Sequence, residues 1–282
     1  DMQWEIESAK TKNGFVYTNL ADNTVEILKY TGTESNVTIP DKIDNKVVKT
    51  LGAESFTENE TVVGVTIPAQ VTNLQYGAFA SCTNLKKVTF AQGSQLKKIK
   101  EETFEHCQKL EEIHIPDSVT QIEKGAFYYC RSLSKLTLGK KLEVIDNNAF
   151  EGCSSLKQIE IPDSVESIGE GAFTYCTSLE HVTIGNKLAY VAKSAFSWCN
   201  LTEITWGDGI AKIGDSAFAC NQKLTTVSIP DTVTELEYKA FAGCVELSDI
   251  EIPDSVEAIG GYAFEKWDIC LLYTSPSPRD TE

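Results

Sequence analysis

The chain has 282 residues, 41% of them hydrophobic, and it carries 41 acidic against 25 basic side chains, a formal net charge of −16. This charge disfavours nucleic acid as a partner, because binding a polyanion depends on clustered basic contacts to phosphates. No apolar run approaches the ~20 residues of a membrane-spanning helix, so we expect no membrane insertion.

A phenylalanine marks each copy of a short internal repeat. It recurs at intervals of about 23 residues, in most copies as Ala-Phe, at Phe56, Phe79, Phe104, Phe127, Phe150, Phe173, Phe196, Phe218, Phe241 and Phe264. A fixed period of this length is typical of solenoids, in which each copy is one coil that buries its apolar face against its neighbours.

A cysteine follows most of these phenylalanines by three positions, at Cys82, Cys107, Cys130, Cys153, Cys176, Cys199 and Cys244. Asn59 and Asn221 occupy the same slot in their own copies, and Cys220 lies one place off it. Both residue types are small and can hydrogen-bond backbone groups inside a tight turn. Because no Cys-x-x-Cys pair occurs, zinc is not expected. Buried free thiols are favoured over stacked disulfides or a redox role.

A strand pattern, Leu-x-x-Ile-x-Ile, comes next in each copy. Its last residues alternate with period two, as at Ile113 and Ile115, which predicts a short strand with one buried face. A Pro or Gly such as Pro116 ends the strand, and a second apolar pair follows, as at Val119 and Ile122. Stacked copies would form a parallel sheet with strands ~4.8 Å apart.

The last copy departs from this pattern. Trp267 stands where the cysteine would be, and no strand pattern follows it. Residues 268–282, which include Cys270, are rich in Ser and Pro and have no repeat character. We therefore expect them to lie outside the fold, as a disordered or foreign tail.

The run Ile-Pro-Asp-Ser-Val-x-x-Ile-Gly-x-x-Ala-Phe-x-x-Cys at 161–176, with a near copy at 115–130, resembles the BspA-like leucine-rich repeats. The resemblance covers residues 37 to about 267, and it implies a solenoid with a parallel sheet on its concave face. Residues 15–40 are similar to the hairpin-bearing N-terminal cap of that family. Three regions are thus predicted: a β cap at 1–36, a solenoid of about ten repeats at 37–267 and the tail at 268–282.

Groups that catalyse reactions do not converge anywhere in the predicted fold. Catalysis requires a nucleophile with a base, paired carboxylates or metal ligands. His114 and His181 fall on strands three coils apart, ~14 Å at the spacing of parallel strands, and cannot share a metal. We therefore predict no enzyme activity, no metal and no cofactor.

The residues that alternate with the buried ones are predicted to line the concave face and to form the main ligand-binding surface. They are Lys87, Thr89, Glu112, His114, Lys135, Thr137, Glu160, His181, Thr183, Glu203 and Thr205. Strand propensity and cross-strand pairing would also explain these residue types. A secondary aromatic patch of Tyr129, Tyr175 and Trp198 shares the position before the cysteine, where either ligand binding or core packing would favour such rings.

The resemblance implies a surface or secreted protein of bacteria or protozoa, a family that includes several adhesins. The chain is accordingly predicted to be a non-catalytic binding module, extracellular or at the cell surface, for a protein or glycan of a host matrix or a neighbouring cell. Because the sequence starts at Asp1 in polar residues, we expect no signal peptide within it. Two alternatives remain open: a passive spacer that presents another domain, and an intracellular interaction scaffold, which would suit reduced cysteines.

Overall fold

The computed structural model describes residues 9–266, which form a solenoid of short strands. The predicted tail, with Trp267 and Cys270, lies outside the described residues, as do the first eight residues of the predicted cap. The region boundaries therefore stay a prediction. The chain begins with six strands: β1 (Lys10–Lys12), β2 (Phe15–Asn19), β3 (Val25–Tyr30), β4 (Asn36–Thr38), β5 (Lys42–Ile43) and β6 (Lys46–Leu51).

Each later coil contributes one long strand and one short strand, in alternation. The long strands have three or four residues: β7 (Gly64–Ile67), β9 (Lys87–Phe90), β11 (Glu112–His114), β13 (Lys135–Thr137), β15 (Gln158–Glu160), β17 (His181–Thr183), β19 (Glu203–Thr205), β21 (Thr226–Ser228) and β23 (Asp249–Glu251). The short strands have two: β8 (Asn73–Leu74), β10 (Lys98–Ile99), β12 (Gln121–Ile122), β14 (Val144–Ile145), β16 (Ser167–Ile168), β18 (Tyr190–Val191), β20 (Lys212–Ile213), β22 (Glu235–Leu236) and β24 (Ala258–Ile259).

The first coils carry the predicted hairpin. Strands β1, β2 and β3 pair antiparallel, and β3 then pairs parallel with β6, so the hairpin continues directly into the sheet of the coils. The ring of Tyr30 lies over that of Phe56, with centroids 5.1 Å apart. The hairpin therefore covers the apolar end of the stack, as the outer repeats of a solenoid must be covered.

The long strands pair in parallel with one another, which confirms the predicted sheet. This sheet is interrupted twice, so its strands fall into the groups β4–β7–β9–β11–β13, β15–β17–β19 and β21–β23. The short strands form a second parallel series, interrupted once between β16 and β18. The second series was not predicted, although the apolar pair Val119 and Ile122 marks its place and Ile122 lies in β12.

The phenylalanines form a continuous stack through the core. Phe56 and the eight phenylalanines that follow it in the series, up to Phe241, are at most 1% exposed. The nine successive ring pairs from Phe56 to Phe264 have centroids 4.7 to 5.6 Å apart. This spacing is close to the ~4.8 Å between parallel strands, so the rings and both sheets advance together.

The cysteines form a ladder beside this stack. Each of the seven ladder thiols donates a hydrogen bond to the carbonyl oxygen of the phenylalanine one coil earlier, over 3.0 to 3.4 Å. All seven are buried and free, as predicted. Asn221 makes more bonds in the same slot. Its Nδ2 donates to the carbonyls of Phe196 and Phe218 at 2.9 and 2.8 Å, and its Oδ1 accepts from the Leu201 N–H at 3.0 Å.

Burial keeps these thiols protonated. It raises the pKa of Cys82 and of Cys244 to about 12, and the pKa of Cys107, Cys130 and Cys176 well above the ordinary value. An unfolded thiol titrates at about 8.5. The stability that the ladder contributes is therefore fully present below that pH and is lost as the pH rises toward the folded pKa.

We expect Asn221→Ala to destabilise the protein by about 2 kcal/mol more than Cys153→Ala. Both substitutions leave alanine in the same slot, but only the first leaves the buried Leu201 N–H without an acceptor and removes the Nδ2 donor from the Phe196 carbonyl, while the Phe218 carbonyl keeps the Cys244 thiol. Urea unfolding of the two variants, followed by circular dichroism, measures the difference. Equal losses in the free energy of unfolding would mean that the side chain at this position stabilises the protein only by its volume and that its hydrogen bonds add nothing.

The ladder thiols should resist modification until the protein unfolds. At pH 8 a thiol with a pKa of about 12, such as that of Cys82, is a thiolate in roughly one molecule in ten thousand. We expect seven more thiols to react with a chromogenic disulfide reagent in guanidinium chloride than in the native protein. Rapid labelling of the native ladder would contradict its burial.

Candidate binding surface

The predicted binding residues lie on the solvent side of the long strands, which we call the long-strand face. Ile113 is 1% exposed, whereas its neighbour His114 points outward. Period-two alternation of this kind places every second side chain on the same side of a sheet. Ten of the eleven predicted residues are exposed and Glu112 is half-buried, so the structure brings all of them to one face. Their role in binding stays a prediction.

The face consists of two straight rows of side chains. In one row Lys87, Glu112 and Lys135 are direct partners on successive strands, as are His181 and Glu203 further along. In the other row Glu160, Thr183 and Thr205 align in the same way. The parallel register therefore holds each row at the coil spacing, with an apolar residue of the core directly between the rows.

Ion pairs on this face are loose. Lys87 Nζ lies 3.4 Å from Glu112 Oε2, and His181 Nδ1 lies 3.5 Å from Glu203 Oε2. All four side chains are about half exposed or more. Exposed pairs of this kind contribute ~0–1 kcal/mol, so their charges are easily re-paired with a ligand.

Charge is distributed unevenly along the solenoid. Residues 9–141 carry seventeen basic and fifteen acidic side chains, whereas residues 142–266 carry seven basic and twenty acidic ones. On the long-strand face, Lys87 and Lys135 lie in the N-terminal half of the solenoid. Glu203, Asp249 and Glu251 lie in the C-terminal half. The acidic half would attract cationic groups and repel anionic ones.

The predicted aromatic patch occupies a strained turn. Tyr129, Tyr175 and Trp198 each have a φ between 54° and 59°, in the left-handed region that non-glycine residues enter at a cost of about 1–2 kcal/mol. The centroids of the Tyr175 and Trp198 rings lie 5.8 Å apart, so these two rings are neighbours on successive coils. Tyr129 lies one coil from Gly152, where a Cβ would come within 2.9 Å of its ring. All three rings are half-buried, and a binding role for them stays a prediction.

A cluster of carboxylates off this face was missed by the sequence analysis. Burial, and then the neighbouring charge of Glu102, raise the pKa of Glu105 to about 7. Glu102 also accepts a hydrogen bond from Tyr76, which raises the pKa of that phenol to about 12. Glu102 and Glu105 lie three residues apart in one coil and Tyr76 comes from the coil before it, so the available signals were the short spacing of the two carboxylates and the period of the coils.

A second missed feature is a groove on the long-strand face. A cavity of about 200 Å³ opens between β19 and β21, lined by Thr202, Glu203, Ile204, Trp206, Thr226, Val227 and Ser228. Glu203 was a predicted residue, whereas Trp206 stands at the last position of the Leu-x-x-Ile-x-Ile pattern, which predicts a buried side chain. The available signal was a tryptophan in a slot that Ile184 and Ile229 fill in the adjoining coils.

The comparisons with known proteins settle the class of the protein. The sequence profile of the BspA type leucine rich repeat region matches residues 26–157 and 143–270, in six copies. The chain belongs to this family, whose fold is a binding scaffold. No curated protein sequence matches it.

Solved structures of bacterial leucine-rich-repeat proteins share the fold. A leucine rich cell surface protein from Faecalibacterium prausnitzii is 28% identical, with 91% of this chain and 92% of that chain covered and a TM-score of 0.50. The pneumococcal vaccine antigen PcpA is 21% identical over 93% and 87%, with a TM-score of 0.55. A leucine-rich repeat protein from Eubacterium ventriosum is 20% identical over 90% and 93%, with a TM-score of 0.54.

Two further findings concern residues 9–266 alone. In this part of the chain no helix is long and apolar enough to cross a membrane. Within the same range, no group of three or more His, Cys, Asp or Glu side chains is placed to hold a metal ion.

Adjacent residues of the long-strand face and of the core should respond very differently to the same substitution. We expect His114→Ser to change the free energy of unfolding by no more than about 0.5 kcal/mol, because the side chain is exposed. Ile113→Ser should cost at least about 3 kcal/mol, since it leaves a cavity and buries a hydroxyl. Thermal melting of both variants measures the difference, and similar losses would contradict the alternation.

Proposed function

We propose that the chain is a non-catalytic, adhesin-like binding module of a cell-surface or secreted protein, and that its ligand is a protein or a glycan bound on the long-strand face. The observation that carries this proposal is the alignment of exposed polar side chains in two rows over successive strands. A surface of this kind is the usual recognition surface of a solenoid.

The rigidity of the face supports binding. The apolar residue between each pair of exposed residues is packed against the phenylalanine stack, so the backbone under the rows is fixed before a ligand arrives. A preorganised surface loses less conformational entropy on association than a mobile one. Because the ion pairs on the face are weak, a ligand can form new interactions there without breaking strong ones.

The comparisons support the location. The family of BspA type repeats includes surface proteins, and the similar structure from Faecalibacterium prausnitzii is that of a cell surface protein. A passive spacer remains the second candidate, since a regular stack of coils would also serve as a stalk. The function of a spacer would not change when residues of the long-strand face are substituted, whereas a binding module would lose affinity for its ligand. This difference separates the two candidates.

The test compares two variants of the purified protein on an array of matrix proteins, mucins and glycans. The first variant changes Lys87, His114, Lys135 and Glu160 to Ser, and the second changes Lys98, Glu143 and Lys212, which are exposed in or beside the short strands, to Ser. We expect the first variant to bind at least tenfold more weakly, because removing charged groups from a binding surface costs about 1.4 kcal/mol or more.

The second variant is the matched control, since it also removes two lysines and one glutamate. It should bind as the parent does, and both variants should melt with the parent. If both variants bind with the affinity of the parent, the long-strand face is not the binding site. If the parent captures nothing on the array, the spacer becomes the better interpretation.

A further inference from the structure

The groove between β19 and β21 results from a break in the ladder of backbone hydrogen bonds. One coil earlier the Ile184 N–H donates to the Thr205 carbonyl at 2.8 Å, and one coil later the Ile229 N–H donates to the Glu251 carbonyl at 2.9 Å. Within the described part of the chain, the equivalent groups of Trp206 and Ser228 form no such bond. A backbone donor and a backbone acceptor are therefore left open at the groove.

Two departures from the repeat coincide with this break. The coil from Phe196 to Phe218 is one residue shorter than its neighbours, because Leu201 follows Cys199 by two positions instead of three. Trp206 takes the place of an isoleucine, and its indole packs edge-on against Phe218 with centroids 5.4 Å apart. An indole needs more room than isoleucine, and beside it β19 and β21 do not pair, although β17 and β19 do.

The lining combines an aromatic ring with several kinds of polar group. The indole of Trp206 is half-buried, and its N–H has no hydrogen-bond partner among residues 9–266 and is not sealed from solvent. Thr202, Thr226 and Ser228 supply hydroxyls. Glu203 supplies a carboxylate whose neighbour is His181 at 3.5 Å, and the Ser228 hydroxyl donates to Glu251 at 2.8 Å.

This mixture matches one class of ligand. A guanidinium or ammonium group only donates hydrogen bonds and would leave the indole N–H and the open backbone N–H unpaired. A pyranose ring has hydroxyls that both donate and accept, and an apolar C–H face that packs on an aromatic ring. A cavity of about 200 Å³ has room for one such ring.

We propose that the groove binds a single pyranose ring of a glycan, with its C–H face on the indole of Trp206 and its hydroxyls on Glu203, Thr226 and Ser228. The surrounding charge selects the sugar. Glu203 lies on β19, on one side of β21, and Asp249 and Glu251 lie on β23, on its other side, so a neutral or amino sugar is accepted and a uronic acid is repelled. This inference rests on the proposed function and assigns it a subsite.

The experiment follows the indole N–H signals of the ¹⁵N-labelled protein during titration with three methyl glycosides: the glucoside, the glucosaminide and the glucuronide, with the galactose and mannose series beside them. Trp206→Ile identifies the signal of Trp206, and isoleucine fits because other coils carry it there. The signal of Trp198, which lies off the groove, is the internal control.

We expect the Trp206 signal to move and saturate with a Kd in the millimolar range, as suits a ligand of this size. At least one neutral or amino sugar should bind about fivefold more tightly than its uronate. Glu203→Gln should narrow that difference, because it removes the charge and keeps the shape. Trp206→Ile should melt at the temperature of the parent or above it and bind no sugar.

Two results would overturn the proposal. One is an unmoved Trp206 signal with every sugar at about 50 mM, well above a millimolar Kd. The other is a larger shift with N-acetyl-arginine amide, which would assign the groove to a cationic side chain of a protein. The array experiment changes only residues outside the groove. If the first array variant binds more weakly than the parent but the Trp206 signal does not move with any sugar, this inference is wrong and the proposed function still holds.

Discussion

The stacking of each phenylalanine ring on the ring of the next coil sets the geometry of the whole molecule. The rings stand 4.7 to 5.6 Å apart, and parallel strands stand ~4.8 Å apart, so one step along the stack is also one step along both sheets. The thiol ladder shares this step, because each cysteine bonds the carbonyl of the phenylalanine in the coil before it. A change in the length of a coil must therefore be absorbed in its turns, where the stack does not fix the chain.

This constraint divides the sequence into two kinds of position. At core positions only a few residue types fit the stack, and at outward positions many residue types are compatible with the fold. Ile113 is held by the stack, whereas Glu112 and His114 beside it contact solvent and their neighbours in the row. The scaffold is thus specified by a few residue types in each coil, and the outward residues are left to recognition. That separation lets a rigid polar surface carry a different pattern of charge at each end of the same stack.

The period made the main features predictable from the sequence, and the limits of the prediction have physical causes. The phenylalanine stack, the cysteine ladder and the long strands repeat in register, so their places follow from spacing alone. The short strands were missed because two residues, such as Gln121 and Ile122, are too few to show an alternation. The left-handed turn at Tyr175 was missed because tyrosine gives no signal of a positive φ. The groove at Trp206 depends on whether two coils pair, which no single coil reveals.

The coil from Phe196 to Phe218 shows how a departure from the repeat is accommodated. Deletion of one residue moves the Leu201 N–H within reach of the next coil, where it needs an acceptor in the ladder slot. The Oδ1 of Asn221 accepts it at 3.0 Å, and a thiol, a weak acceptor, would do so poorly. Asparagine at this position thus compensates for the short turn, and the sheet is interrupted beside Trp206 in the same coil. Local breaks in an otherwise consistent pattern are where function is expected, since the scaffold elsewhere has no reason to tolerate them.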